Sequence, residues 1–120
     1  EHSLFCLITM NHHPIHIDKI FAQKSKFKER LVVGTYVFSL VVGMTVRDIS
    51  GKAIANLNYE KINHYFPVYI GDTISAYSTI EKKEISRSNN KNAKVKIMTL
   101  AKNQNGEKVI SFHRTILIKK

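Results

Sequence analysis

The chain has 120 residues, 43% of them hydrophobic, with 19 Lys and Arg against 9 Asp and Glu for a formal net charge of +10. That length holds one domain with its own core and is too short for two, and the hydrophobic content excludes intrinsic disorder. A basic surface attracts polyanions such as a phosphorylated cofactor, but the lysines are scattered and no stacking-aromatic motif accompanies them, so nucleic acid is not the expected partner.

From the start of the chain, the single cysteine, Cys6, permits no internal disulfide and fits a reducing cytoplasm. It is expected as a buried, small apolar side chain rather than a nucleophile. Residues 9–18, TMNHHPIHID, then crowd His12, His13 and His16 around Pro14. Residues 14–27 place Ile17, Ile20, Phe21 and Phe27 near helical spacing, with Pro14 as a first-turn residue, and predict a short amphipathic helix. Leu31 to Val46 carries no charge and is bracketed by Arg30 and Arg47. As a helix it reaches about 24 Å, short of the roughly 30 Å hydrocarbon core of a membrane. With Gly34 and Gly43 inside it, this run reads as a buried helix wrapped on all sides. No signal peptide is visible, and the absence of Met at position 1 points to a trimmed N-terminus.

Beyond Ala55 the pattern changes to period two. Thr73–Ile80 is rich in β-branched residues, and Lys94–Leu100 sets Val95 and Ile97 against Lys94 and Lys96. In the last segment Ile110, Phe112, Ile116 and Ile118 point one way, and Ser111, His113, Thr115 and Leu117 the other. Asn105-Gly106 predicts a tight hairpin with positive φ angles between the last two strands, and residues 86–92, SRSNNKN, an earlier polar loop. Helices followed by antiparallel strands give an α+β domain, most economically a curled sheet wrapped around the apolar helix.

These residues in this order resemble the MaoC-like dehydratase family, also called the R-specific enoyl-CoA hydratase family, of the hot-dog fold. Its signature runs Ser/Thr-Gly-Asp-x-Asn-Pro-aliphatic-His and then an acidic residue; Thr9, Pro14, Ile15, His16 and Asp18 match it. Val33-Gly34 resembles the family's His-Gly pair, and residues 66–74, FPVYIGDTI, its Pro-Val-x-x-Gly-Asp-Thr segment. Ser86-Arg87 and Asn103-Gln104-x-Gly106-Glu107 are similar to the branch related to mesaconyl-CoA hydratase. The resemblance covers residues 1–120, lacking only the strand that usually comes first. It implies a single hot-dog domain, a curved antiparallel sheet around a central helix near residues 34–46, acting as a homodimer or larger homo-oligomer. The implied reaction is hydration or dehydration of a short enoyl-CoA, such as mesaconyl-CoA, with no cofactor beyond the CoA of the substrate.

Two signature positions depart: the family's catalytic Asp falls on Asn11 and its Asn on His13. An amide does not take a proton from water, so Asn11 is expected to hold the water through its oxygen while His16 takes the proton. His13 is expected to orient His16 or to carry a second proton, and His12 to face solvent. The Gly34 N–H, at the positive end of the apolar helix, is the expected donor to a thioester oxygen, with Val33 beside it. Gly34 kept merely for packing is the plainer alternative. Adjacent histidines on an irregular turn lack the geometry of a metal site, and no metal is expected. Gly71-Asp72 reads as a turn with a capping carboxylate. Arg87 is a candidate for the CoA phosphates, and Tyr36, Phe38 and Phe66 for core or acyl-pocket lining. Two other classes stay open. A thioesterase of this fold needs a carboxylate near the central helix, where Glu29 is the only nearby acid along the chain; a non-catalytic acyl-CoA-binding subunit is favoured by Asn11.

Overall fold

The computed structural model describes residues 1–85 and 91–119. Three short helices, α1 (His2–Ile8), α2 (Pro14–Ile17) and α3 (Lys19–Gln23), precede the main helix α4 (Gly34–Met44) and a π-helical turn, Val46–Ser50. Four strands follow: β1 (Ala55–His64), β2 (Ser75–Ile85), β3 (Asn92–Lys102) and β4 (Lys108–Lys119). They form one antiparallel sheet in the order β1-β4-β3-β2. With α4 packed on one face, this is the hot-dog arrangement that the resemblance implies.

The alternation predicted for the last two strands builds that face. Ala93, Val95, Ile97, Thr99 and Ala101 of β3 are buried, and so are Ile110, Phe112, Arg114 and Ile116 of β4. Val37 and Val41 of α4 pack on Ala101, Ile110 and Phe112, with Val68 and Val109 closing the sides. A second cluster, Val95, Ile97 and Ile116, is covered by Ile49 and Ala53. Each fully buried Val, Ile or Phe contributes about 1.5–3 kcal/mol. Phe38 joins the first cluster through edge-on contacts with Tyr59 and Phe112, at centroid separations of 5.1 and 4.9 Å.

Three local expectations are corrected. Residues 14–27 do not form one helix: Asp18 is extended, at φ −110° and ψ 106°, and its carboxylate accepts from the N–H groups of Ile20 and Phe21. It thereby starts α3 while ending α2. The main helix is not enclosed on all sides, since Leu40 and Met44 are 39% and 41% exposed. In the β3–β4 turn only Gly106 has a positive φ, 78°. Asn103 organises that turn, its side-chain oxygen accepting from the N–H groups of Asn105 and Glu107.

The chain is elongated. Its radius of gyration is 16.9 Å, with extents of 57 × 30 × 22 Å, against about 14 Å for a compact chain of this length. Both sheet edges expose apolar side chains: Leu57 and Ile62 on β1, Tyr77, Ile80 and Ile85 on β2. Among the described residues, no helix is long and apolar enough to cross a membrane.

Candidate functional site

The histidine turn is shaped by the caps of the helices on either side of it. Helix α1 ends in a Schellman motif, with Met10 left-handed at φ 58° and the Asn11 N–H bonded to the Cys6 carbonyl. This reverses the chain and leaves Asn11 half-buried. His13 then caps α2: its Nδ1 accepts from the Ile15 N–H at 3.1 Å, and Pro14 fills the first helical position, where no N–H is needed. With Nδ1 accepting, a neutral His13 carries its proton on Nε2. Its ring lies edge-on to His16, 6.0 Å between centroids. His12 is exposed, as expected.

His16 is partly buried and anchored to the segment leading into α4. Its Nδ1 sits 2.9 Å from the Leu31 carbonyl oxygen. A carbonyl only accepts, so Nδ1 holds the proton and the Nε2 lone pair is left to act as a base. The Leu31 N–H in turn donates to the Ile15 carbonyl, and the Val32 N–H to the Val68 carbonyl. Backbone bonds therefore tie the histidine turn, the approach to α4 and the 66–70 segment into one unit.

At the start of α4 the structure separates the two residues grouped there by sequence. The Val33 N–H donates to His2 Nε2 at 2.9 Å, so it is not free for a ligand. Gly34 at the first helical position has no intrahelical acceptor for its N–H, and it is half-buried beside a cavity of about 290 Å³. The walls of that cavity include Leu31, Val32, Phe66 and Val68. A Cβ added to Gly34 would meet His64 Cε1 at 3.3 Å. A side chain at this position would press on the His64 ring, which would have to give by a few tenths of an ångström.

His2 is 8% exposed and reaches α4 from the opposite end of the site's sequence. Its Nδ1 has no partner among the described residues. Burial first, then the nearby charges of His16, Arg30 and the N-terminus, hold its pKa below the ordinary 6.5. The neutral imidazole is the form that caps Val33. His2, Tyr36 and Glu1 also line a second cavity, of about 410 Å³, on the other flank of α4.

Several remaining expectations are resolved by position. Asp72 does cap its turn, accepting from the Tyr69 N–H at 2.9 Å and from Gln104 Nε2 at 3.0 Å. Cys6 is fully buried and in no disulfide, with its Sγ 3.7 Å from His2 Nε2. Phe38 is core, Phe66 lines the cavity beside Gly34, and the Tyr36 hydroxyl donates to Glu1 at 3.2 Å. Glu29 is therefore not the only acid near the helix start, because α1 folds back and delivers Glu1 there. Arg87 lies outside the described residues. Among those that are described, no cluster of three or more His, Cys, Asp or Glu has the arrangement of a metal site.

Sequence reading missed His2, His64 and Arg114. Each acts through a residue about thirty or more positions away, and none carries a local signal. Arg114 is fully buried, its Nη2 bonded to Thr45 Oγ1 at 2.6 Å while Nε and Nη1 have no partner among the described residues. Burial pushes its pKa down. An alternating pattern read as apolar simply skips a cation that faces inward.

Residues 1–102 match the family model described as MaoC like domain. Over 121 residues the chain is 36% identical to mesaconyl-CoA hydratase of Cereibacter sphaeroides, an alignment covering 100% of this chain and 35% of that protein. It is 36% identical over 103 residues to beta-methylmalyl-CoA dehydratase of Chloroflexus aurantiacus, covering 83% of this chain and 28% of that one. The chain spans about a third of the length of the mesaconyl-CoA hydratases it matches. Among solved structures, a monoamine oxidase regulatory protein from Archaeoglobus superposes with a TM-score of 0.87 at 30% identity, over 99% of this chain and 80% of that one.

Proposed function

The chain belongs to the MaoC-like domain family, and from that membership we propose that it hydrates or dehydrates a short enoyl-CoA thioester. The observation that carries this reading is the His16–Leu31 bond, which leaves Nε2 as an oriented base held on the segment that leads into α4. In the hydration direction, Nε2 takes a proton from a water held by the Asn11 amide oxygen, and the hydroxide adds to the β-carbon. The electron pair moves onto the thioester oxygen, where the Gly34 N–H and the positive end of α4 stabilise it. Protonation of the α-carbon by the His16 imidazolium then completes the addition and regenerates the base. Asn11 in place of the family's Asp removes a second base, so one imidazole both takes and returns the proton.

A short, carboxylated or branched acyl group such as mesaconyl is the favoured substrate, supported by the similarity to mesaconyl-CoA hydratase and by the modest cavity at Gly34. The CoA moiety is the only cofactor-like group in this reading, and no metal takes part. A homodimer or larger homo-oligomer is supported by the elongated shape and the apolar edge strands, which a second copy would cover. A non-catalytic acyl-CoA-binding subunit is the second reading, favoured by the amide at Asn11.

The test is loss of the conjugated enoyl-thioester absorbance with crotonyl-CoA and mesaconyl-CoA. Turnover by the unaltered chain that is lost in His16→Ala supports the hydratase with a single imidazole. If only Asn11→Asp turns over, the binding-subunit reading replaces it. A His16→Ala variant as active as the parent would refute the role given to His16.

A further inference from the structure

An oxyanion site at a helix start works best with two donors aimed at one oxygen. Here the obvious second backbone donor is spent, because the Val33 N–H already bonds to His2. The fold supplies another candidate. Strand β1 bulges between Glu60 and Asn63, where Lys61 is left-handed at φ 52°. A bulge of this kind re-aims the side chains that follow it. His64, the last residue of β1, pairs with Ile110, whose side chain lies in the core under α4. Cross-strand partners share a face, so His64 is turned toward the helix.

Its ring is packed against Gly34: Cε1 and Nε2 stand 3.3 and 3.4 Å from the place a glycine Cβ would occupy. Both residues border the same cavity of about 290 Å³, and His64 is the one imidazole on its wall. No described residue bonds to the His64 ring, so its N–H remains free for a ligand. His64 itself is exposed, standing at the rim of this cavity beside Val32, Phe66 and Val68, where a ligand can reach its ring.

We propose that His64 is a further catalytic residue, donating from its imidazole N–H to the thioester oxygen that the Gly34 N–H also holds. The proposal rests on the hydratase reading for its substrate. It assigns His64 no proton transfer: the ring stabilises charge that develops on the oxygen and leaves the base work to His16.

Two variants and two measurements test it. His64→Phe keeps a ring of similar size without the donor, and His64→Gln restores an N–H. With crotonyl-CoA and mesaconyl-CoA, His64→Phe is expected to lower kcat by about 10²-fold or more. KM should stay within a few-fold, and His64→Gln should recover at least about tenfold of the loss. The second measurement is independent of turnover. Acetoacetyl-CoA bound to the full chain should show the absorbance of its enolate, formed when an α-proton passes to solvent base, and His64→Phe should weaken that band.

If the unaltered chain lacks turnover but shows an enolate band that depends on His64, the hydratase reading fails and the donor assignment stands. His64→Phe with normal kcat and an undiminished band would overturn the assignment and spare the hydratase. Folded His64→Gln behaving no better than folded His64→Phe would also overturn it, as would the absence of both turnover and band in the unaltered chain. Circular dichroism and melting midpoints confirm that each variant is folded.

Discussion

The least expected group in the core is Arg114, and its hydrogen bond to Thr45 can be weighed directly. Its guanidinium, with no exposed surface, lies on the helix-facing side of β4 between Phe112 and Ile116. Nη2 donates to Thr45 Oγ1 at 2.6 Å, the Thr45 hydroxyl passes the bond on to the Val42 carbonyl at 2.7 Å, and Tyr59, the cross-strand neighbour, offsets part of the burial that pushes the Arg114 pKa down. The cation thus rests against the negative end of α4, with the Phe112 ring 5.8 Å away. Thr45 is itself 5% exposed, so water does not replace it readily.

Thr45→Val keeps the side-chain shape and removes both bonds. A hydrogen bond to a charged group contributes about 1.5–3 kcal/mol, and leaving the donor buried adds a further penalty. The expected loss is about 3 kcal/mol, or roughly 12 °C in Tm for a chain of this size. In an Arg114→Met background there is no cation to abandon, and Thr45→Val should cost only about 1 kcal/mol for the bond to Val42. The double-mutant cycle should therefore give a coupling of about 2 kcal/mol. Urea unfolding of the four proteins at one protomer concentration measures it. A coupling below about 0.5 kcal/mol would show that the guanidinium does not depend on Thr45 and would sink the reasoning.

Two further outcomes are expected. His2 has a folded-state pKa below its ordinary 6.5, chiefly through burial and then through His16 and Arg30. The unfolded chain therefore binds this proton more readily, so stability should fall as pH drops below about 6.5 and level off below the lowered folded value. In His2→Gln, whose amide oxygen can still accept from Val33, that component should vanish; a stability profile of unchanged slope argues against the cap. Asp18→Ala should cost about 1 kcal/mol by uncapping α3, read from urea midpoints, while an unchanged midpoint would mean that its two backbone bonds contribute nothing.

Much of the frame was legible along the chain because it depends on short-range periodicity. The alternation from Val95 to Ile97 and from Ile110 to Ile118 identified the strands and their buried face, and the uncharged run identified α4 and its start at Gly34. The placement of Asn11 and His16 on one tight turn was legible because that turn is local, built by caps that lie within a few residues of it. The same reasoning misjudged residues 14–27, since helical spacing of apolar residues is weaker than a carboxylate positioned to cap. It also grouped Val33 with Gly34 as an oxyanion or substrate contact, although the Val33 N–H bonds to His2.

What only the tertiary structure decided is which distant groups meet at the start and end of α4. His2 takes the Val33 N–H, His64 covers Gly34, Glu1 reaches Tyr36, and Arg114 finds Thr45. The physical reason is common to all four. Each contact is set by strand register, a bulge at Lys61 and the fold-back of α1, and sheet pairing brings together residues whose separation along the chain carries no periodic signal.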